Sequence, residues 1–283
     1  MKIIKERKIL QLELNNIQKD DSNSVGFIPT MGALHKGHIS LLEKAKTQNK
    51  INIVSIFVNP TQFNNSNDLV NYPRTIEEDI DKLEKAGCDI AFIPEAKDVY
   101  QENTIIKDDF NFGHIENVME GKYRKGHFRG VAMVVNIFFE LIKPNRAYFG
   151  MKDYQQLLII KSLAHEFHPN IEIIPCNIFR ENDGLAMSSR NTLLTNVQRE
   201  KAPLIYEILK KAKNKFKGIE IDELKEWVNK EFKKDADFNL EYFEIADSDN
   251  LILAENKHTH KSLIAFVAVN LGKIRLIDNI PIN

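Results

Sequence analysis

Apolar residues along this chain change rhythm repeatedly, and the order of the changes predicts alternating strands and helices. Residues 1–19 place apolar and charged positions at roughly helical spacing, and Asp20, Asp21, Ser22, Asn23 and Ser24 then form a polar break. The apolar run 25–28 reads as a buried strand, followed by a glycine-containing loop and by helical spacing over 39–46. A β-branched run at 51–58 predicts a second strand, 76–86 a helix, and 90–93 a short third strand ended by Pro94. Residues 131–141 are apolar on most faces, which predicts a buried helix stopping before Lys143 and Pro144. A short strand at 147–149 leads into Gly150, where a second loop-plus-helix unit begins, and 171–175 reads as the last strand of the series. Such alternation predicts a Rossmann-like, doubly wound parallel sheet.

Past the polar stretch 180–191 the texture changes. Segments 198–215 and 221–233 are strongly amphipathic, while 242–245, 262–269 and 274–276 alternate as half-buried strands. The expected fold is therefore α/β in two units, a Rossmann-like domain over 1–176 and a smaller α+β domain over 177–283. Length agrees, because 283 residues exceed the usual single-core size of roughly 100–200. Hydrophobic residues at 43% and charged residues at 28% suit a globular chain rather than a disordered one.

Charge and cysteine usage narrow the function. Lys plus Arg number 39 against 40 for Asp plus Glu, so no overall field draws the protein onto nucleic acid or an anionic membrane, and any anion must be bound locally. The amino terminus carries charges every few residues, and no stretch approaches 18 uninterrupted apolar residues, which predicts a cytoplasmic protein without a membrane span. Cys88 and Cys176 lie far apart outside any CxxC or Cys/His cluster, so neither a disulfide framework nor a zinc site is expected, and both read as small buried hydrophobes.

The candidate chemistry begins at His35-Lys36-Gly37-His38, at the mouth of a strand-to-helix turn. A helix amino terminus offers unpaired N–H groups to an anion, Gly32 and Gly37 permit close approach to backbone, and two histidines add donors. Nucleotide phosphates fit that arrangement, although a lone His-x-x-His also reads as a simple helix cap. Asn59 and Gln62 sit where a strand ends, the place where open parallel sheets collect ligands, and amides can grip a small hydroxy acid through donor and acceptor contacts. Lys152 follows Gly150 at another strand end and can act as a point charge on polyphosphate.

Pro29-Thr30-Met31-Gly32-Ala33-Leu34-His35-Lys36-Gly37-His38 resembles the HxGH signature of the nucleotidylyltransferase superfamily, in the wording of its pantothenate synthetase family. Three further stretches carry the same resemblance: Ser55–Phe63 with Tyr72-Pro73-Arg74-Thr75, Gly126-His127-Phe128-Arg129-Gly130-Val131, and Tyr148–Gln156 followed by Asp183–Asn191. The likeness spans about residues 25–195 and touches Arg275–Asn279 near the end.

This resemblance implies condensation of pantoate with β-alanine, driven by ATP with Mg2+, through a pantoyl adenylate. It implies ATP contacts at Met31, Gly32, His35, Gly37, His38, Gly150, Lys152, Asp153, Phe179, Met187, Ser188, Ser189 and Arg190. Catalytic roles fall on His35, His38, Lys152, Ser188, Ser189 and Arg190, and substrate binding on Asn59, Gln62 and Gln156. Met187 to Arg190 looks like the counterpart of a mobile phosphate-gripping loop, and a homodimer is implied. The family pattern usually has Glu or Gln where this chain has Met151, so ATP contact there is expected through backbone. Glu78 and Asp79 read either as magnesium ligands or as acids complementing a helix dipole, and no metal site on the protein itself is expected. Rival readings are an adenylyltransferase of the same superfamily and a nucleotide-binding sensor without turnover.

Overall fold

Alternate residues of the central strands serve opposite faces of one sheet, and both faces are dry. In β2 (Val25–Thr30) Phe27 faces one core and Ile28 the other; in β3 (Ile51–Ile56) Ile53 and Val54 divide the same way. This explains why these strands read as continuous apolar runs rather than as alternating ones. The computed structural model describes residues 1–17, 24–64, 66–100, 110–258 and 261–283. Of the polar break expected at 20–24 only Ser24 is among them, and residues 18–19 of the first segment also lie outside.

The sheet is completed by β1 (Lys2–Ile4), β4 (Ile90–Phe92), β5 (Arg146–Gly150) and β6 (Glu172–Cys176), all parallel, in the order β1-β4-β3-β2-β5-β6. One face is covered by the helices Arg7–Ile17, His127–Ile142 and Tyr154–Phe167 through Leu10, Phe138 and Ile160. The other is covered by Lys36–Lys46 and Ile76–Lys85 through Leu42 and Leu83. The helix His127–Ile142 stops where expected: Lys143 turns left-handed (φ 47°) ahead of Pro144, which disfavours helix at the residue before it.

β7 (Phe238–Asp247), β8 (Leu263–Leu271) and β9 (Ile274–Pro281) form a separate antiparallel sheet. One of its faces packs on the helices Leu204–Phe216 and Ile221–Phe232. The other presents Tyr242, Ile264 and Phe266 to Met119 and Leu158 of the parallel unit.

Three expectations are corrected. The first segment is not wholly helical, because Lys2–Ile4 pairs with β4 as an edge strand before the helix starts at Arg7; three residues are too few to show a period. The amphipathic stretch 198–215 is two helices, Asn196–Lys201 and Leu204–Phe216, since Pro203 lacks the N–H that would continue the ladder. Cys88 is buried as expected, whereas Cys176 at the end of the outer strand is only partly covered.

Candidate active site

Strands β2 and β5 are neighbours from which the strand order runs outward in opposite directions, so the crevice beyond their carboxyl ends is the switch point where such sheets take ligands. A cavity of about 220 Å³ opens there. Met31, His35, Gly37, His38, Gln62, Gly150, Lys152, Asp153, Gln156, Phe179, Met187, Ser188, Ser189 and Arg190 line it. Gly32 and Asn59 do not; both stand behind the wall.

The loop leaving β2 is held in an unusual shape from behind. Gly32 (φ 81°) and Ala33 (φ 48°) are both left-handed, a conformation that disfavours alanine. Asp79 compensates: fully buried, its carboxylate accepts the N–H groups of Ala33 at 2.8 Å and Leu34 at 2.7 Å, and the Thr75 hydroxyl at 3.2 Å. A Cβ at Gly32 would lie 3.0 Å from Ile56 and 3.1 Å from Asp79, so this glycine makes room for the brace, on the side away from the cavity. Glu78 is exposed, 3.7 Å from Lys82. Asp79 is thus neither a surface acid nor free for a cation.

His35 caps the helix Lys36–Lys46. Its Nδ1 accepts from Gly37 N–H at 3.1 Å, and Nδ1 of His38 accepts from His35 N–H at 3.3 Å. With both Nδ1 atoms acting as acceptors, each ring carries its proton on Nε2, the donor left for the cavity. Burial, followed by the charge of Lys152, lowers the pKa of His35 to about 4. Burial, then His35 and Lys152, holds His38 well below the usual histidine range. Both are neutral near pH 7. The bland reading as a cap and the chemical reading therefore hold together, on different nitrogens. Gly37 serves the same cap, since a Cβ there would meet the His35 ring at 2.9 Å.

The turn Pro60–Gln62 is locked by the helix His127–Ile142. Gly130 lets that helix approach so closely that a Cβ would lie 2.4 Å from the Thr61 carbonyl oxygen. Neutral His127, its pKa lowered to about 4 by burial first, then Arg124, donates Nδ1–H to the Gln62 carbonyl at 2.8 Å. Asn59 Nδ2 donates to Gln62 Oε1 at 3.2 Å and to the Gly130 carbonyl at 3.0 Å, and its Oδ1 accepts the Tyr100 hydroxyl at 2.6 Å. Asn59 is 1% exposed and spends its amide inside the protein. Its reach to a ligand is through Gln62, whose Nε2 it turns toward the Met31 sulfur at 2.9 Å on the cavity wall.

At the other rim, Lys152 sits in the turn Met151–Asp153 after β5, its Nζ 3.7 Å from Asp153. That turn is tied down from the last strand: Asn279 Nδ2 donates to the Met151 and Lys152 carbonyls, each at 2.9 Å. Met151 therefore has its carbonyl engaged within the protein and its side chain against the core. Ser189 donates its hydroxyl to the Ala33 carbonyl at 3.0 Å, Ser188 caps Arg190 N–H, and Arg190 pairs with Asp68 at 2.8 Å. The segment 187–190 is thereby docked against the histidine loop.

The four main stretches that carry the resemblance each place residues in this one crevice. A sequence profile described as Pantoate-beta-alanine ligase matches residues 2–281. The chain belongs to the pantoate–β-alanine ligase family. It is 45% identical over 281 residues to a pantothenate synthetase of Azobacteroides pseudotrichonymphae, covering 99% of each chain, and 45% identical to that of Christiangramia forsetii over the full length of both. Among solved structures it is similar to pantothenate synthetase from Thermus thermophilus (TM-score 0.91, 34% identity, 100% and 99% of the two chains). It is also similar to the Francisella tularensis pantoate-beta-alanine ligase complexed with beta-gamma ATP and beta-alanine (TM-score 0.83, 39% identity, 99% and 97% of the two chains). Reading the sequence gave no role to His127, Gly130 and Asn279, although all three stand in stretches that carry the resemblance, and it did not give Asp79 its part as a loop brace. Each acts on the site through a contact distant in sequence.

Proposed function

We propose that this enzyme condenses (R)-pantoate with β-alanine at the expense of ATP, giving pantothenate, AMP and pyrophosphate through a bound pantoyl adenylate. The observation that carries the reading is one cavity with two kinds of lining. One set, Lys152, Arg190, the hydroxyls of Ser188 and Ser189 and the Nε2–H donors of His35 and His38, suits phosphates. The other, the amides of Gln62 and Gln156 with the apolar side chains of Val131, Val134 and Phe138, suits a dimethyl-substituted hydroxy acid.

In the first step the pantoate carboxylate attacks the α-phosphorus of Mg·ATP. The neutral histidines donate hydrogen bonds to the crowded phosphate while Lys152, Arg190 and the two serines hold the departing pyrophosphate. Magnesium arrives on the nucleotide: among the described residues no group of three or more His, Cys, Asp or Glu side chains could hold a metal, and Asp79 is fully engaged. In the second step the uncharged amine of β-alanine attacks the acyl carbonyl, the C–N bond forms, the C–O bond to AMP breaks, and the amine proton is lost. Burial shields the mixed anhydride from water.

On this reading residues 1–176 bind ATP and pantoate and 177–283 close over them, in a cytoplasmic homodimer. The dimer predicts a mass in solution twice the 32.7 kDa chain, and light scattering at one chain mass would remove it. The reaction itself is tested by following AMP, pyrophosphate and acyl product from Mg·ATP and pantoate, with and without β-alanine. Pantothenate and AMP together only when both organic substrates are present support the ligase. An adenylylated final product would point to a nucleotidylyltransferase, and ATP binding without AMP to a sensor.

A further inference from the structure

Arg124 is a covered cation without a matched anion. It follows the short helix Met119–Tyr123, and its guanidinium stands 3.6 Å from Glu120 Oε2, beyond hydrogen-bond range. That carboxylate is already satisfied. Arg275 donates to its two oxygens at 2.6 and 2.8 Å, and Tyr242 adds its hydroxyl at 2.7 Å. Among the described residues Glu120 is the only ion-pair partner of Arg124; the positive charges of Arg190 and Arg275 and the negative charge of Asp68, itself paired with Arg190, act on it as well. A guanidinium keeps its charge under such conditions, so the residue remains a set of donors in search of an acceptor.

Arg124 also faces the right space. It lines a cavity of about 890 Å³ together with Lys152, Asp153, Ser188 and Arg190, and a small one of about 30 Å³ together with His127, Lys152 and Gln156. Arg124 does not line the cavity of about 220 Å³ itself, but these two cavities share Lys152, Ser188, Arg190 and Gln156 with it, so Arg124 stands beside both the phosphate-suited and the acyl-suited residues. The other cations there are committed: Arg275 is saturated by Glu120 and Glu241, while Lys152 and Arg190 serve the phosphates in the reading above. Lys273 is exposed on the rim.

The chemistry of the second step asks for one more cation. The amine substrate brings a carboxylate that must be held apart from the adenylate phosphate, because like charges would otherwise push the amine away from the acyl carbonyl. We propose that Arg124 is the counter-ion of that carboxylate and selects a β-amino acid over a plain amine. The proposal rests on the adenylate reading and assigns no part of the first step to Arg124.

The test separates the two steps. Pantoate-dependent exchange of labelled pyrophosphate into ATP reports adenylation, and amide formation with β-alanine or with n-propylamine, which lacks the carboxylate, reports the second step. Arg124→Gln is expected to raise KM for β-alanine about 30-fold, the scale of a lost charge-assisted hydrogen bond, with exchange falling by no more than about threefold. The preference of the wild-type protein for β-alanine over n-propylamine should shrink by the same factor, and Arg124→Lys should restore part of it. Thermal melting of both variants shows whether they fold, and if Arg124→Gln does not, the Arg124→Lys preference decides. Equal loss in exchange and amide formation, or an unchanged preference, overturns the proposal by making Arg124 a phosphate ligand or a structural group. No exchange in the wild-type protein would instead remove the two-step reading, and the proposal with it.

Discussion

Single side chains here do two jobs on two atoms, and the histidines show it best. His35 and His38 use Nδ1 to close a helix cap and keep Nε2–H for the cavity, while His127 uses Nδ1–H to hold the Gln62 backbone. All three are neutral when folded, with His35 and His127 brought to about 4 and His38 held well below the usual histidine range, in each case by burial first. Between about pH 6.5 and 4 the unfolded chain binds protons that the folded chain excludes, so unfolding becomes easier as pH falls. Each group contributes up to about 1.4 kcal/mol per pH unit in that window. Denaturant melts should lose stability steadily from pH 6.5 to 4, and His35→Gln, which cannot titrate, should flatten the loss; equal slopes would contradict the assignment. Lys152 is argued at the same scale. Lys152→Ala is expected to cut pantoate-dependent pyrophosphate exchange by about 10- to 100-fold with the melting temperature nearly unchanged, since the amine serves a ligand rather than the fold. Retained exchange would take it off the catalytic list.

Elements matter through how closely they approach. The helix His127–Ile142 touches the Pro60–Gln62 turn at Gly130, where a helix interior would otherwise favour alanine by about 1 kcal/mol. A Cβ 2.4 Å from a backbone oxygen decides the sign against that preference. Gly130→Ala should destabilise the protein by about 1–3 kcal/mol and raise KM for pantoate more than for ATP, because the displaced turn carries Gln62. A stabilised variant with unchanged kinetics would show that the turn yields freely. Element boundaries were legible where a chemical stop exists, as at Lys143-Pro144. The break at Pro203 was just as visible in the letters, yet the amphipathic spacing on either side of it concealed two helices as one. The strand Lys2–Ile4 was not legible, since it exists only because β4 offers it an edge.

At the scale of the whole molecule, the antiparallel sheet reaches back to the parallel one and fixes its chemistry. Asn279 on β9 holds the carbonyls of Met151 and Lys152, and Arg275 on the same strand is locked to Glu120. Asn279→Ala should cost about 1–2 kcal/mol in stability and reduce kcat/KM for ATP about tenfold, as the turn carrying Lys152 loosens. Stability lost with ATP kinetics intact would make Asn279 a fold contact only.

The sequence by itself determined the α/β class, most of the run of strands and helices through 176, the change of texture beyond it, and, through the resemblance, most of the side chains that line the crevice. Local periodicity and short motifs suffice for these, because strand, turn and helix are written in neighbouring residues. Only the tertiary structure decided that Asp79 braces a loop, that Asn59 works through Gln62, that the histidines are neutral, and that Arg124 shares its ion-pair partner with Arg275. These outcomes depend on burial and on partners distant in sequence. Desolvation sets which proton is carried and which donor is free, and it has no signature in the order of the residues.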